Sequence, residues 1–174
     1  GEVFLIEDKK LPFGEIKGAV KTKRLELICN LFVDAGFRSP MLKNIRNDIW
    51  IKLWGNCSFN PISALTHSTL EEICESQDTK NLIFNMMKEV KSVGEYFGAK
   101  FGISEISRIQ GAKSVGNHKT SMLQDVENGK EFELDALLGS VIELAASARI
   151  SVPHLTSVYS CCQLLNRTLL KKNS

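Results

Sequence analysis

From Val20 onward the apolar residues of this chain return every three or four positions, the period of one face of an α-helix. That pattern confines the chain to helix packed on helix. Leu25, Ile28, Leu31 and Phe32 mark the first such face, and Gly36 stops it. "FRSPMLK" reads as an extended connector, because Pro40 pushes Ser39 away from helix. Asn44 to Thr66 reads as one long helix disturbed at Pro61, either kinked there or broken and restarted. Ser68 or Thr69 can cap a short helix through Cys74, with Glu71 and Glu72 in its first turn. Further helices are predicted from about Thr79 to Ala99, Ser104 to Ala112, Glu131 to Ala148 and Pro153 to Leu170, with "KSVGNHK" a loop.

The front of the chain is different. "EVFLIED" and "LPFGEI" are short, rich in aromatic or β-branched residues and punctuated by Pro12 and Gly14, so they read as strands. Two strands alone are marginal. They are expected to be the trailing edge of a sheet built mainly from upstream sequence, and Gly1 in place of a methionine suggests a piece of a longer protein. The expected division is a β segment over 1–18 and a helical domain over 19–174. The fold class is therefore mainly α, a multi-helix domain with a short β remnant at its N-terminus.

Composition narrows the function. Apolar residues are 43% and charged residues 24%, the balance of an ordinary globular domain. A net charge of +2 without a basic block argues against nucleic acid. No apolar run approaches the roughly 20 residues of a bilayer span, and the acidic start does not resemble a signal peptide. The expected setting is the cytoplasm. Cys29, Cys57, Cys74, Cys161 and Cys162 lack zinc-like spacing and read as buried free thiols.

Two segments carry candidate chemistry. In "WIKLWGNCSFNPISALT", Lys52, Asn56 and Asn60 stand at i, i+4 and i+8. On one helix they would share an arc of about 80° along about 12 Å. Such a stripe is either a solvated edge or a polar seam lining a cavity. Asparagine is a poor choice for an exposed helix interior, which favours the seam. In "HKTSMLQDVENGKEFELD", Ser121 is either an N-cap or a binding hydroxyl. Glu133 is either a dipole-complementing surface acid or a functional one. His118 reads as a loop residue, and Met122 and Leu123 as core anchors.

The two segments together, in this order, resemble the C-terminal domain of the ketopantoate reductase family. Trp50, Lys52, Asn56 and Asn60 to Leu65 match its first motif. Ser121 to Asp125, Gly129–Lys130, Glu133 to Asp135 and Gly139 match its second. The resemblance implies a helical domain like that of 6-phosphogluconate dehydrogenase, whose active site faces an N-terminal Rossmann domain. It implies reduction of 2-dehydropantoate to pantoate with NADPH, on the route to pantothenate and coenzyme A. Lys52 would protonate the ketone oxygen. Asn56, Asn60 and Ser121 would hold the substrate. Glu133 would contact both substrate hydroxyl and cofactor.

The match has gaps. Some family members carry a further asparagine where this chain reads "HSTLEEI", so that contact is either missing or supplied by Ser68 or Thr69. Another asparagine position holds His118. No G-x-G-x-x-G fingerprint occurs, so these residues alone are expected to be inactive. The alternatives are a paralogue acting on another 2-oxo acid, and a non-catalytic helical dimerisation module. A homodimer through "DALLGSVIELAA" or "VYSCCQLL" is one reading of those apolar helices, and core packing is the other.

Overall fold

A computed structural model describes residues 10–17 and 21–172. The expected strand in "EVFLIED" lies outside the described residues. The chain parts into two compact units, the first ending at Ile49 and the second beginning at Trp50.

In the first unit, β1 (Phe13–Gly14) pairs in parallel with β2 (Met41–Leu42), extended by a bridge between Lys10 and Arg38. The segment expected to be a mere connector is thus the partner strand. Extended backbone before Pro40 leaves carbonyls free to pair, and Arg38 and Pro40 accept from Leu11 and Phe13 at 2.8 and 3.1 Å. The crossover is α1 (Lys23–Asp34), capped by the Thr22 side chain. Phe32 of α1 packs on Phe13 and Phe37, with ring centroids 4.9 and 5.9 Å away.

The helix α2 (Ile45–Asn56) leads into the second unit, followed by α3 (Asn60–Thr66) and α4 (Leu70–Glu75). The predicted long helix breaks and restarts. Pro61 would clash with the carbonyl four residues back and has no N–H to give. It therefore sits in the first turn of α3, where its missing donor costs nothing. Residues 57–59 bridge the gap by a tight turn, the Gly55 carbonyl accepting from both Ser58 and Phe59. Thr69, not Ser68, caps α4 in a reciprocal capping box with Glu72.

The centre of this unit is α5 (Gln77–Tyr96), which gives Ile83, Met86, Met87, Val90 and Val93 to the core with no exposure. Around it stand α6 (Glu105–Lys113), α8 (Ser140–Ala148) and α9 (Pro153–Lys172), while α7 (Ser121–Glu127) packs on α3. Glu89 ties α5 to α9. Its carboxylate accepts from the backbone N–H groups of His154 and Leu155 at 3.0 and 2.9 Å, and meets the His154 ring at 2.6 Å. Leu138, Val141, Ala145, Val158 and Cys162 are all buried, so core packing accounts for most of the apolar residues in the last two helices. Leu164 and Leu170, 66% and 46% exposed, are exceptions. Four of the five cysteines are buried free thiols as expected, and Cys161 is exposed. Burial pushes the Cys57 and Cys162 thiols up to about 12, which makes them inert packing groups. No described helix is long and apolar enough to cross a membrane.

Candidate active site

The first half of the site is the C-terminal end of α2. Its apolar back is fixed by Trp50 and Trp54, 8% and 1% exposed. The Trp54 indole donates to the Met87 carbonyl of α5 at 2.9 Å and meets Phe101 edge-on at 4.9 Å. With that back anchored, Lys52 and Asn56, four residues apart, stand together on another side. Lys52 is exposed and Asn56 half-buried. Asn60 does not continue their stripe on one helix, as the spacing predicted, because α2 has already ended. It opens α3 instead and is only 9% exposed.

Ser121 is the first residue of α7, not its cap. Thr120 does the capping, its hydroxyl accepting from Leu123 N–H at 3.3 Å. The Ser121 hydroxyl is thereby left exposed and uncommitted. Packing of α3 on α7 sets the elements carrying Asn60 and Ser121 side by side.

Glu133 lies ahead of its helix, not inside it. Residues 131–134 alternate exposed and buried, with Phe132 and Leu134 only 3% and 2% exposed. The Leu134 N–H donates to the Phe132 carbonyl at 2.8 Å, a tight turn that buries both neighbours and leaves Glu133 outward. The Asn166 amide of α9 holds this strip from behind, accepting from Phe132 N–H at 3.2 Å and donating to Phe132 O at 3.4 Å. A π-helical turn, Asp135–Gly139, follows at once, with the Ser140 N–H reaching back five residues to the Asp135 carbonyl. Such turns are frequent at functional sites. The Tyr159 hydroxyl donates to Asp135 at 2.6 Å, which raises the phenol above its ordinary range.

Glu133 lines a groove of about 420 Å³ with Glu131, Asp135, Gln163, Asn166 and Arg167. Lys52, Asn56, Asn60 and Ser121 are not on its walls. The structure therefore brings the α3 and α7 elements together and places Glu133 in a separate groove against α9. Among the described residues, none of the five side chains makes a hydrogen bond or an ion pair. Asn166 had no place among the residues singled out in the sequence. An asparagine in the interior of a twenty-residue helix was its one signal.

These residues fall inside a longer match. A family model described as the C-terminal domain of ketopantoate reductase PanE/ApbA matches residues 44–166. The chain belongs to this family. A 2-dehydropantoate 2-reductase of Mesorhizobium japonicum is 43% identical over 160 residues, covering 92% of this chain and 49% of that protein. The chain spans about half the length of the curated relatives it matches. Among solved ketopantoate reductases, the 2-dehydropantoate 2-reductase of Methylococcus capsulatus superposes with a TM-score of 0.83 at 27% identity, over 92% of this chain and 55% of that one. A D-mandelate dehydrogenase solved with NADH and anilino(oxo)acetate gives a TM-score of 0.83 over 96% of this chain and 70% of that one. At 16% identity that likeness speaks for the fold alone.

Proposed function

We propose that this chain is the substrate-holding half of an NADPH-dependent reductase converting 2-dehydropantoate to pantoate in pantothenate biosynthesis. The nucleotide-binding half would be a Rossmann domain outside these residues, and the whole would work in the cytoplasm, where free thiols stay reduced. The observation that carries the reading is that Lys52, Asn56 and Asn60 make no hydrogen bond among the described residues, although Asn56 is half-buried and Asn60 is only 9% exposed. A buried amide needs a hydrogen-bond partner, and a ligand with carbonyl and hydroxyl oxygens supplies one.

Reducing a ketone builds negative charge on its oxygen. The Lys52 ammonium stabilises that charge and gives the proton. Asn56 and Asn60 fix the pose without adding charge, and the Ser121 hydroxyl adds a donor. Glu133 presents a free carboxylate that fits sugar or substrate hydroxyls, so the residues suit the hydroxyl-rich end of a dinucleotide. When bound, NADPH supplies the hydride.

A second reading keeps the chemistry and changes the acid. Thr69 is committed to its capping box, and the Ser68 hydroxyl donates to the Thr66 carbonyl at 3.3 Å. A substrate contact expected from this region is therefore not freely on offer, which favours a paralogue acting on another 2-oxo acid. The test follows NADPH absorbance in the full-length parent with 2-dehydropantoate and a panel of 2-oxo acids. Lys52→Ala is expected to lower kcat by about 10²- to 10⁴-fold. Turnover of a different acid selects the second reading, and turnover of none by a folded parent overturns both.

A further inference from the structure

Arg108, on the inner side of α6, is a cation with no acid paired to it among the described residues. It is half-buried, and its Nε is fully buried with no hydrogen-bond partner. The acid one turn earlier on the same helix, Glu105, is engaged by Lys91 at 3.1 Å. Among the described residues Arg108 makes no ion pair. A partly buried guanidinium presents up to five donors and ordinarily meets a carboxylate or phosphate.

Its position is set by a glycine. A Cβ on Gly55 would lie 2.9 Å from Arg108 Nη2, so the guanidinium rests against the α2 backbone where a side chain would stand. Gly55 is the last residue but one of α2, and the missing side chain gives the guanidinium its place. Capping of α2 does not call for the guanidinium. The Leu53 carbonyl already accepts from Cys57 at 2.8 Å, and the Gly55 carbonyl from Ser58 and Phe59 at 3.1 and 2.9 Å. Gly55 directly precedes Asn56 and follows Lys52 by three residues, which is less than one helical turn. The unpaired fork therefore flanks the same turn of α2 that carries the proposed proton donor and amide.

We propose that Arg108 anchors the carboxylate of the 2-oxo acid whose keto oxygen meets Lys52. This rests on the function proposed above and adds a residue and a substrate group to it. Arginine suits the task because its planar fork matches a carboxylate through two parallel hydrogen bonds.

The test uses the full-length parent with a 2-oxo acid and the corresponding uncharged 2-oxo amide. Arg108→Met is expected to raise KM for the acid about tenfold or more while kcat changes far less, and to leave KM for the amide within about twofold. Gly55→Ala, which adds the Cβ that displaces the guanidinium, is expected to reproduce the acid-selective rise without loss of thermal stability. Arg108→Lys should recover part of the acid's KM. Equal losses for acid and amide, or an unchanged KM for the acid in Gly55→Ala, overturn the proposal. If Arg108→Met does not fold, Gly55→Ala decides alone. If the parent reduces no 2-oxo acid, the proposed function fails separately, and calorimetric titration with 2-oxoisovalerate still reads Arg108. Binding lost in the variants supports the anchor, and binding unchanged in them, or absent from the parent, overturns it.

Discussion

Asn60 is only 9% exposed, and its side chain makes no hydrogen bond among the described residues. No hydrogen bond within the fold accounts for such a residue, and the proposed substrate contact would. Asn60→Leu should therefore leave the unfolding free energy unchanged within about 1 kcal/mol, or raise it. The same variant should raise KM for the 2-oxo acid about tenfold in the full-length parent. Denaturant titration and steady-state kinetics on one preparation check the pair, and a marked loss of stability with unchanged KM would return Asn60 to a packing role. Lys52 and Asn56 could be set on one helix from the sequence because their spacing is local, while Asn60 could not, because the turn over residues 57–59 moves it onto α3. Arg108 was not legible either, since its meaning depends on Gly55, fifty-three positions away, and no periodicity reports that contact. A glycine in the last turn of a helix was the nearest hint.

At the scale of elements, the local signals carried most of the information. Pro61 demanded a disturbance, and the choice of a break over a kink followed from the buried Cys57, Ser58 and Phe59, which take the tight turn into the core. Ser121 and Thr120 illustrate the limit. Both can cap, and only the packing of α7 on α3 picks Thr120 and frees its neighbour. β2 was hidden for a different reason, because strand pairing is a long-range choice that a two-residue segment cannot announce. The tie between α5 and α9 was equally invisible, since Glu89 and His154 are sixty-five positions apart. Glu89 supplies the N-terminal cap that α9 lacks from its own residues, through two backbone N–H groups, and its side chain is only 10% exposed. Glu89→Ala should cost about 2 kcal/mol in denaturant unfolding. Backbone amides at His154 and Leu155 should exchange faster in that variant, while those in α4 should be unaffected. Equal exchange at both places would mean that the cap does not act locally.

At the scale of the whole molecule, the proposed function would give this chain one of the two jobs of a reductase. The chain would carry the proton donor, with uncommitted amides, a hydroxyl and a carboxylate suited to a small oxygen-rich substrate. What it does not carry in its sequence is a glycine-rich strand–turn–helix, the device that lets backbone N–H groups approach a pyrophosphate. Glu133 can contribute to a dinucleotide only at its hydroxyls, and single contacts of that kind are worth too little to hold it. On the proposed function, NADPH would draw most of its binding free energy from elsewhere in the parent. The expected outcome is that residues 1–174 alone show no saturable change in NADPH fluorescence at micromolar concentrations, whereas the parent does. Glu133→Gln in the parent should weaken NADPH by less than about tenfold, because it removes a hydroxyl contact and leaves the pyrophosphate grip intact. Saturable micromolar binding by the chain alone would mean that the groove around Glu133 and Arg167 holds the nucleotide by itself, and the division of labour between the two halves would have to be redrawn.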